Sequence, residues 1–486
     1  MTRAQIILVT LLGYKIVLVS VGLWASRRTH DTRDFFLGGR KLGAWVAALS
    51  ASASSSSAWT LLGVSGAAYA WGLSALWLFP ATLSGFLINW LWVAPRLMHR
   101  SRETGSITLT EFLAGEPTHP LFKSVIRFST LVIVFSFLFY IASQFQAAGH
   151  AFASAFGTSP NTSIAIGVAV IVLYTLLGGF WAVSVTDTIQ GLLMATCALI
   201  LPIVALTAAG GFDALADGLR SASPAAQLSL TGGRSGFVAL AFILGTLGIG
   251  LGYPGQPHVV NRFMALRDPA ALRLGKTIAI LWAAIIYSGM LLVGLCGRVL
   301  FPMITDNEQV LFEAADRLLP AVGAGIMIAA VLSAIMSTAD SQLLVATSSL
   351  SYDLRRASGL PDEAAGAGLR HSRYVVLAIS ATAMLLGMFA PAAIFSRVLF
   401  AWSALGSAFG PLLILRLAGM RTSTAGALAS IATGFTLTVI AHFAFPLAPG
   451  DWIERLVPIV CAFLVAWIAP RESGRPAPAP VTPATK

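Results

Sequence analysis

Charge is what this sequence has least of. Asp, Glu, Lys and Arg make up 10% of its 486 residues, against roughly a quarter in a soluble chain. So few charges cannot cover a water-facing surface of that size. A soluble enzyme, a disordered chain and a nucleic-acid-binding domain are thereby excluded. Cysteine is scarce as well. Cys197, Cys296 and Cys461 lie far apart, each inside an apolar run, with no pair spacing that suits a disulfide framework or a metal site. No Gly-rich phosphate loop, metal cluster or hydrolytic triad stands out, so the chain does not read as an enzyme and implies no organic cofactor. What is abundant is apolar surface: 57% of residues are hydrophobic and mean hydropathy is +0.81. This is the composition of an all-α polytopic membrane protein.

The net charge of +11 then belongs to loops, because the basic residues cluster between apolar runs. At ~20 apolar residues per span, about thirteen helices are expected, centred near residues 15, 57, 85, 133, 168, 196, 245, 285, 333, 382, 407, 434 and 461. The first, 1–26, resembles a signal peptide in having Arg3 ahead of an apolar run. It contains Lys15 and ends at Arg27–Arg28 rather than at a small-residue cleavage site, so it reads as a retained span, with Lys15 snorkelling or facing protein. One set of loops carries Arg27, Arg28, Arg33, Arg40, Lys41, Arg96, Arg100, Arg102, Lys123, Arg127, Arg262, Arg267, Arg273, Lys276, Arg355, Arg356, Arg370, Arg373, Arg416, Arg421 and the tail cations. The other carries Arg3, Arg220, Arg234, Arg298, Arg317, Arg397 and Arg455, a split of roughly 23 to 7. The expected topology puts the N-terminus outside and the C-terminus in the cytoplasm of a cell inner (plasma) membrane protein. Residues 306–317 read as a short amphipathic excursion, and the Pro/Ala-rich tail 470–486 as disordered.

Two spans are unlike the rest. Span two contains Ser50-Ala51-Ser52-Ala53-Ser54-Ser55-Ser56-Ser57, and span seven contains Gly245 through Gly252 followed by Tyr253-Pro254-Gly255-Gln256-Pro257. Small residues pack helices closely, which accounts for either run alone. Their positions say more, because they open two consecutive five-span blocks, 42–210 and 236–418, with two further helices over 422–469. Interrupted helices at corresponding places in two halves point to a transporter site. Unwound carbonyls are tolerated in a bilayer where they line a cavity or bind an ion.

On span nine, Ala334, Ser337, Thr338 and Ser341 fall at i, i+3, i+4 and i+7 and so share one face. Two hydroxyls and a carbonyl from this face, with two carbonyls from a broken helix opposite, make a five-oxygen cage suited to sodium. Ser and Thr otherwise bond back to their own helix. Asp340 and Asp187 are carboxylates inside spans, a costly placement that points to function. If they converge with Ser341 they hold a second cation or a proton. Tyr140, Gln144, Gln146, Tyr253, Gln256 and His258 are further polar candidates, His150 falls at the outer end of span four, and Trp59 and Trp71 read as interface anchors.

These residues form stretches that resemble the sodium:solute symporter family over about 470 residues. They are 24–28 with 34–40, 178–187 with its Thr186-Asp187, Gly252-Tyr-Pro-Gly-Gln-Pro-His258 with Arg262-Phe-Met-Ala265, and Met336-Ser-Thr-Ala-Asp-Ser-Gln-Leu-Leu344. The last two are most similar to the sodium/proline branch. The resemblance implies a five-plus-five inverted-repeat core of the leucine-transporter type, alternating access driven by sodium, and a shared sodium site on Ala53, Ser56, Ala334, Ser337 and Thr338. A second cation site found in some members falls on Asp187, Ser337, Asp340 and Ser341. The branch's cavity positions fall on Tyr140, Ile249, Tyr253 and Pro254; Ser55, Gln144 and Gln256 complete the expected solute-facing set. Two departures stand out: Ser55 replaces an aspartate of the branch and Ile249 replaces a tryptophan of its cavity. The expected partners are sodium, the bilayer and a small polar solute: an amino acid (proline among them), a short carboxylate or a similar zwitterion. The expected state is a monomer or weak oligomer. Proton coupling through Asp187 or Asp340, and a solute sensor of similar architecture, are the alternatives.

Overall fold

The computed structural model describes residues 1–26, 37–176, 179–359, 365–390, 392–445 and 449–470. Arg27, Arg28, Arg33, Gly178 and the tail beyond residue 470 lie outside them. Within them the chain is helical, with an isolated bridge between Leu42 and Leu266. Helix α1 is Arg3–Ser26. Span two is broken: α2, Ala44–Ser55, stops where Ser56 leaves helical geometry at φ −115°, ψ 83°, and the chain resumes through a wide turn at Trp59–Gly63 into α3, Val64–Trp71. Helices α4, Leu78–Leu87, and α5, Ala94–Glu103, then form one rod across Ile88–Val93. There follow α6, Phe122–Phe156; α7, Pro160–Thr175; and α8, Phe180–Ala208.

Span seven is broken in the same manner. Helix α9, Gly236–Leu251, gives way to a tight turn at Tyr253–Gly255, an extended Gln256, and α10, Pro257–Ala265. Proline at the first position of α10 has no N–H to place and suits a fresh helix start. Helix α11, Pro269–Leu300, starts on an Asp268 cap whose carboxylate accepts from Ala271 N at 2.7 Å. The excursion expected at 306–317 is present as a turn, Asn307–Gln309, and α12, Val310–Leu318. The remaining helices are α13, Ala321–Ser348; α14, Ala365–Phe389; α15, Ile394–Leu417; α16, Thr424–Ala444; and α17, Trp452–Ile468.

Ten helical stretches among the described residues are long and apolar enough to cross a bilayer. They differ from the thirteen expected at three places. The second half of span two runs on with span three as one stretch, Trp59–Glu103. The apolar part of α7 is short, Pro160–Leu173, and α17 has 17 residues.

Helix α13 is the axis of the molecule and is buried continuously from Met327 to Ser348. Around α2 stand α8, α10, α11 and α13, while α1 packs on α8 and α13. Small residues permit these close approaches: a Cβ on Gly289 of α11 would run into the Ala198 carbonyl of α8. At one end the two broken spans are tied together, Leu42 N donating to Ala265 O at 3.1 Å and Arg267 N to Leu42 O at 2.9 Å.

Candidate functional site

The break in span two faces α13. Ser337 Oγ donates to the Ala53 carbonyl at 3.1 Å and lies 3.3 Å from the Ala334 carbonyl of its own helix. Thr338 Oγ1 donates to the Ser54 carbonyl at 3.2 Å. All five residues of the expected shared site are fully buried. Ala53, Ala334 and Ser337 are thus brought together, Thr338 reaches one carbonyl further along α2 than its neighbour does, and Ser56 ends the half-helix with its N–H on Ala53 O at 3.2 Å. The carbonyls stand at the C-terminal, electronegative end of α2. Neutral hard oxygens at such an end suit a small monovalent cation.

A second polar cluster lies one turn along. Asp187 Oδ2 accepts from Ser50 Oγ at 2.7 Å, Ser54 Oγ at 3.2 Å and Arg262 Nη2 at 3.1 Å. Arg262 Nη2 also donates to Ser341 Oγ at 2.6 Å and its Nε to Ser50 Oγ at 3.1 Å, while Nη1 donates to the His258 carbonyl. Asp187 and Ser341 therefore do converge, with the Arg262 guanidinium between them. Ser337 turns away to the first cluster. Asp340 is fully buried, and neither of its oxygens has a side-chain hydrogen-bond partner.

The solute-facing set divides. Tyr140 and Gln144 of α6 hold the break in span two: Tyr140 OH donates to Ser57 Oγ at 3.2 Å, and Gln144 Oε1 accepts from Ala58 N at 3.0 Å. Tyr253 OH pairs with Tyr287 OH at 3.1 Å, and Tyr287 in turn with Thr60 Oγ1 at 3.3 Å. The Tyr253–Pro254 turn thus faces the same break from the other side. Gln256 is spent within its own framework, donating to Gly252 O at 3.0 Å and Trp402 O at 2.9 Å, and the Ile249 carbonyl accepts from Trp402 Nε1 at 3.1 Å. Ser55 Oγ bonds back to Ser52 O at 2.9 Å, so it serves its own helix.

Residues 35–434 match the sodium:solute symporter family. The osmoregulated proline transporter OpuE of Bacillus subtilis is 36% identical over 471 residues, covering 95% of this chain and 93% of that protein. The sodium/proline symporter of Escherichia coli is 34% identical over 444 residues, covering 89% and 87%. The chain belongs to the sodium:solute symporter family.

Its fold is that of a Na+-coupled sialic acid symporter solved in a substrate-bound, outward-open state. The TM-score is 0.78 at 19% identity, over 97% of this chain and 99% of that one. A nucleobase-cation-symport-1 family transporter shares the fold more distantly, with a TM-score of 0.55 at 12% identity. The symporter is accordingly a multi-pass plasma-membrane protein that handles a solute with sodium as coupling ion.

Four sequence expectations need correcting within this symporter. Arg262, sorted with the loop cations, is 1% exposed. After a break the chain is still inside the membrane, and α10 carries Arg262 inward among Val259, Phe263 and Met264, all buried. Arg397 and Arg455, sorted with the loops of the other face, are buried too; Arg397 donates to Gln146 Oε1 at 3.3 Å and Arg455 to the Gly450 carbonyl at 3.0 Å. Trp59 is no interface anchor: it is buried against Phe395 at 5.7 Å and Tyr287 at 6.3 Å between ring centres. Tyr287 and Trp402 escaped sequence reasoning because a lone aromatic in an apolar run has no distinguishing signal.

Proposed function

We propose that this symporter imports L-proline, or a closely related small zwitterion, together with sodium by alternating access. The observation that carries the reading is the pair of hydroxyls on α13, Ser337 and Thr338, bonded to the consecutive carbonyls of Ala53 and Ser54 at the end of a broken helix. A sodium ion bound among Ala53, Ser56, Ala334, Ser337 and Thr338 pulls α2 and α13 together. That orders the adjoining break, where Tyr140, Gln144, Tyr253 and Pro254 meet the solute and the electropositive end of the helix that resumes after the break favours its carboxylate. Ion and solute then strengthen each other by the same factor. The two proline-transporting relatives support the choice of solute. We take 42–210 and 236–418 as the two inverted repeats, and thirteen spans as the full count.

The basic end of the molecule supports a cytoplasmic assignment for that face and an external N-terminus. Arg40 donates to Ser101 O at 2.9 Å and Ser106 O at 2.8 Å, Arg102 to Arg267 O at 2.8 Å, and Arg100 to Arg416 O at 3.0 Å. The test is uptake of labelled L-proline by proteoliposomes of the full chain at fixed pH, with an inward sodium gradient or with choline. Uptake in sodium alone is expected. Equal uptake in choline would overturn sodium coupling and favour protons; no proline uptake in either, with another amino acid accepted in sodium, would replace the solute alone.

A further inference from the structure

Three hydroxyls meet where the two broken spans adjoin α11. Tyr287 OH stands at the centre, 3.1 Å from Tyr253 OH on the span-seven turn and 3.3 Å from Thr60 Oγ1 on the span-two turn. All three residues are buried. Three hydroxyls carry three hydrogens and their two contacts use two, so one O–H is left over whichever way the chain runs. Ser56 Oγ, beside Tyr287 and without a partner, brings a hydrogen of its own, so the surplus remains. The indole of Trp59, one residue before Thr60, adds another donor. Trp59 is 4% exposed, its ring centre lies 6.3 Å from that of Tyr287, and Nε1 has no acceptor. Buried donors without acceptors are costly, and here they gather at the electropositive start of the helix that resumes after the break. A route to them exists. A cavity of about 520 Å³ beside the 306–308 loop is lined by Gly63 of the same turn, Trp71 and Phe395, and Phe395 lies 5.7 Å from Trp59 between ring centres.

We infer that Tyr287, with Trp59 alongside as a second donor, determines specificity by donating its O–H to the carboxylate of the transported solute while its oxygen accepts from Tyr253 and Thr60. This rests on the reading above that the solute is a small zwitterion. A hydroxyl that already accepts two hydrogen bonds is polarised and becomes a better donor, and a hydrogen bond to a charged carboxylate is roughly twice as strong as one between neutral groups. The arrangement joins both breaks and α11 around one group of the solute. It also sets a preference. A free carboxylate is accepted, whereas an ester of the same amino acid has no anionic oxygen and leaves the buried donors poorly met.

The test is competition in proteoliposomes of the full chain under an inward sodium gradient, with labelled L-proline as solute and L-proline methyl ester as competitor. The ester keeps the ring and the amine and loses the negative charge. In the wild type it should bind about tenfold more weakly than L-proline, or worse. In Tyr287→Phe the KM for L-proline should rise about tenfold while the inhibition constant of the ester stays within about twofold, so that the preference collapses. Trp59→Phe, which keeps an aromatic ring and removes the Nε1 donor, should move the same ratio in the same direction. A residue that only fastened the helices would weaken both ligands alike, and that outcome in Tyr287→Phe overturns the inference. If Tyr287→Phe does not fold, an unchanged ratio in Trp59→Phe overturns it instead. So does a wild type that takes the ester as readily as L-proline, a result that needs no variant. If the wild type transports a different amino acid, the choice of proline fails, and the same comparison run with that amino acid and its methyl ester still decides the role of Tyr287.

Discussion

Ser337 and Thr338, adjacent on α13, bond to adjacent carbonyls of α2, so each couples two helices through one hydroxyl. Ser337→Ala or Thr338→Ala removes one neutral oxygen and leaves the solute contacts in place. The sodium concentration for half-maximal uptake should rise about tenfold, the loss of ~1.4 kcal/mol of ion binding, with maximal uptake changed far less. Unaltered sodium dependence in both variants would refute the site assignment. At this scale the sequence was partly legible. The i, i+3, i+4 spacing put Ala334, Ser337 and Thr338 on one face, because helical periodicity is local. Ser54 was not legible as the partner of Thr338, since the choice between neighbouring carbonyls depends on how α2 and α13 cross. Arg262 was misplaced because a cation after an apolar run reads as a loop residue, and nothing local says that the run has only been interrupted.

The broken helices carry the next level of the design. Both interruptions were legible, one as a serine run and the other as a glycine run closed by two prolines, because helix propensity is local chemistry. What holds them was not. The Tyr253–Gly255 turn lies directly on α15, where a Cβ added to Gly255 would meet Gly406 Cα and Leu405 O at 2.6 Å each. Backbone on both sides leaves nothing to yield. Gly255→Ala should therefore cost about 1–3 kcal/mol, lower the melting temperature of the purified protein, and push Tyr253 off Tyr287 so that the solute KM rises. A melting temperature equal to wild type would show that the crossing is looser than its geometry. By contrast, the shortness of α7 was hidden, since an apolar run does not reveal where its helix starts and stops.

Across the whole molecule, the two faces are fastened differently. The basic face is held by arginines on backbone carbonyls, whereas on the opposite face a buried carboxylate joins two elements. Glu308, 5% exposed, accepts from Ile394 N at 3.1 Å and Phe395 N at 2.8 Å, capping the start of α15 with the loop that precedes α12. Asn307 Nδ2 donates to Gly66 O at 3.1 Å on α3. Glu308→Ala leaves two helix-start donors without this cap, worth about 1 kcal/mol. External labelling of a cysteine placed at Ser57 should then quicken roughly fivefold; labelling at the wild-type rate would show that the loop is not a latch. Burial pushes the Glu308 carboxyl above its ordinary value, against the lowering effect of those two donors. A form with the loop swung into water loses that shift. Protonation thus favours closure, fully below the ordinary glutamate value and fading as pH rises through the raised one. Labelling should slow on acidification in the wild type and lose this dependence in Glu308→Gln. A pH response unchanged in Glu308→Gln would assign it to another group.

Helix α1 precedes both proposed repeats, and Tyr14 and Lys15 fasten it to α13 at Ser333 and Met336. Whatever tilt α13 undergoes between states, α1 is drawn along with it. The amino terminus is then a mechanical pointer for the transport cycle: a fluorophore attached near Thr2 would report the stroke of a helix that no external reagent can reach.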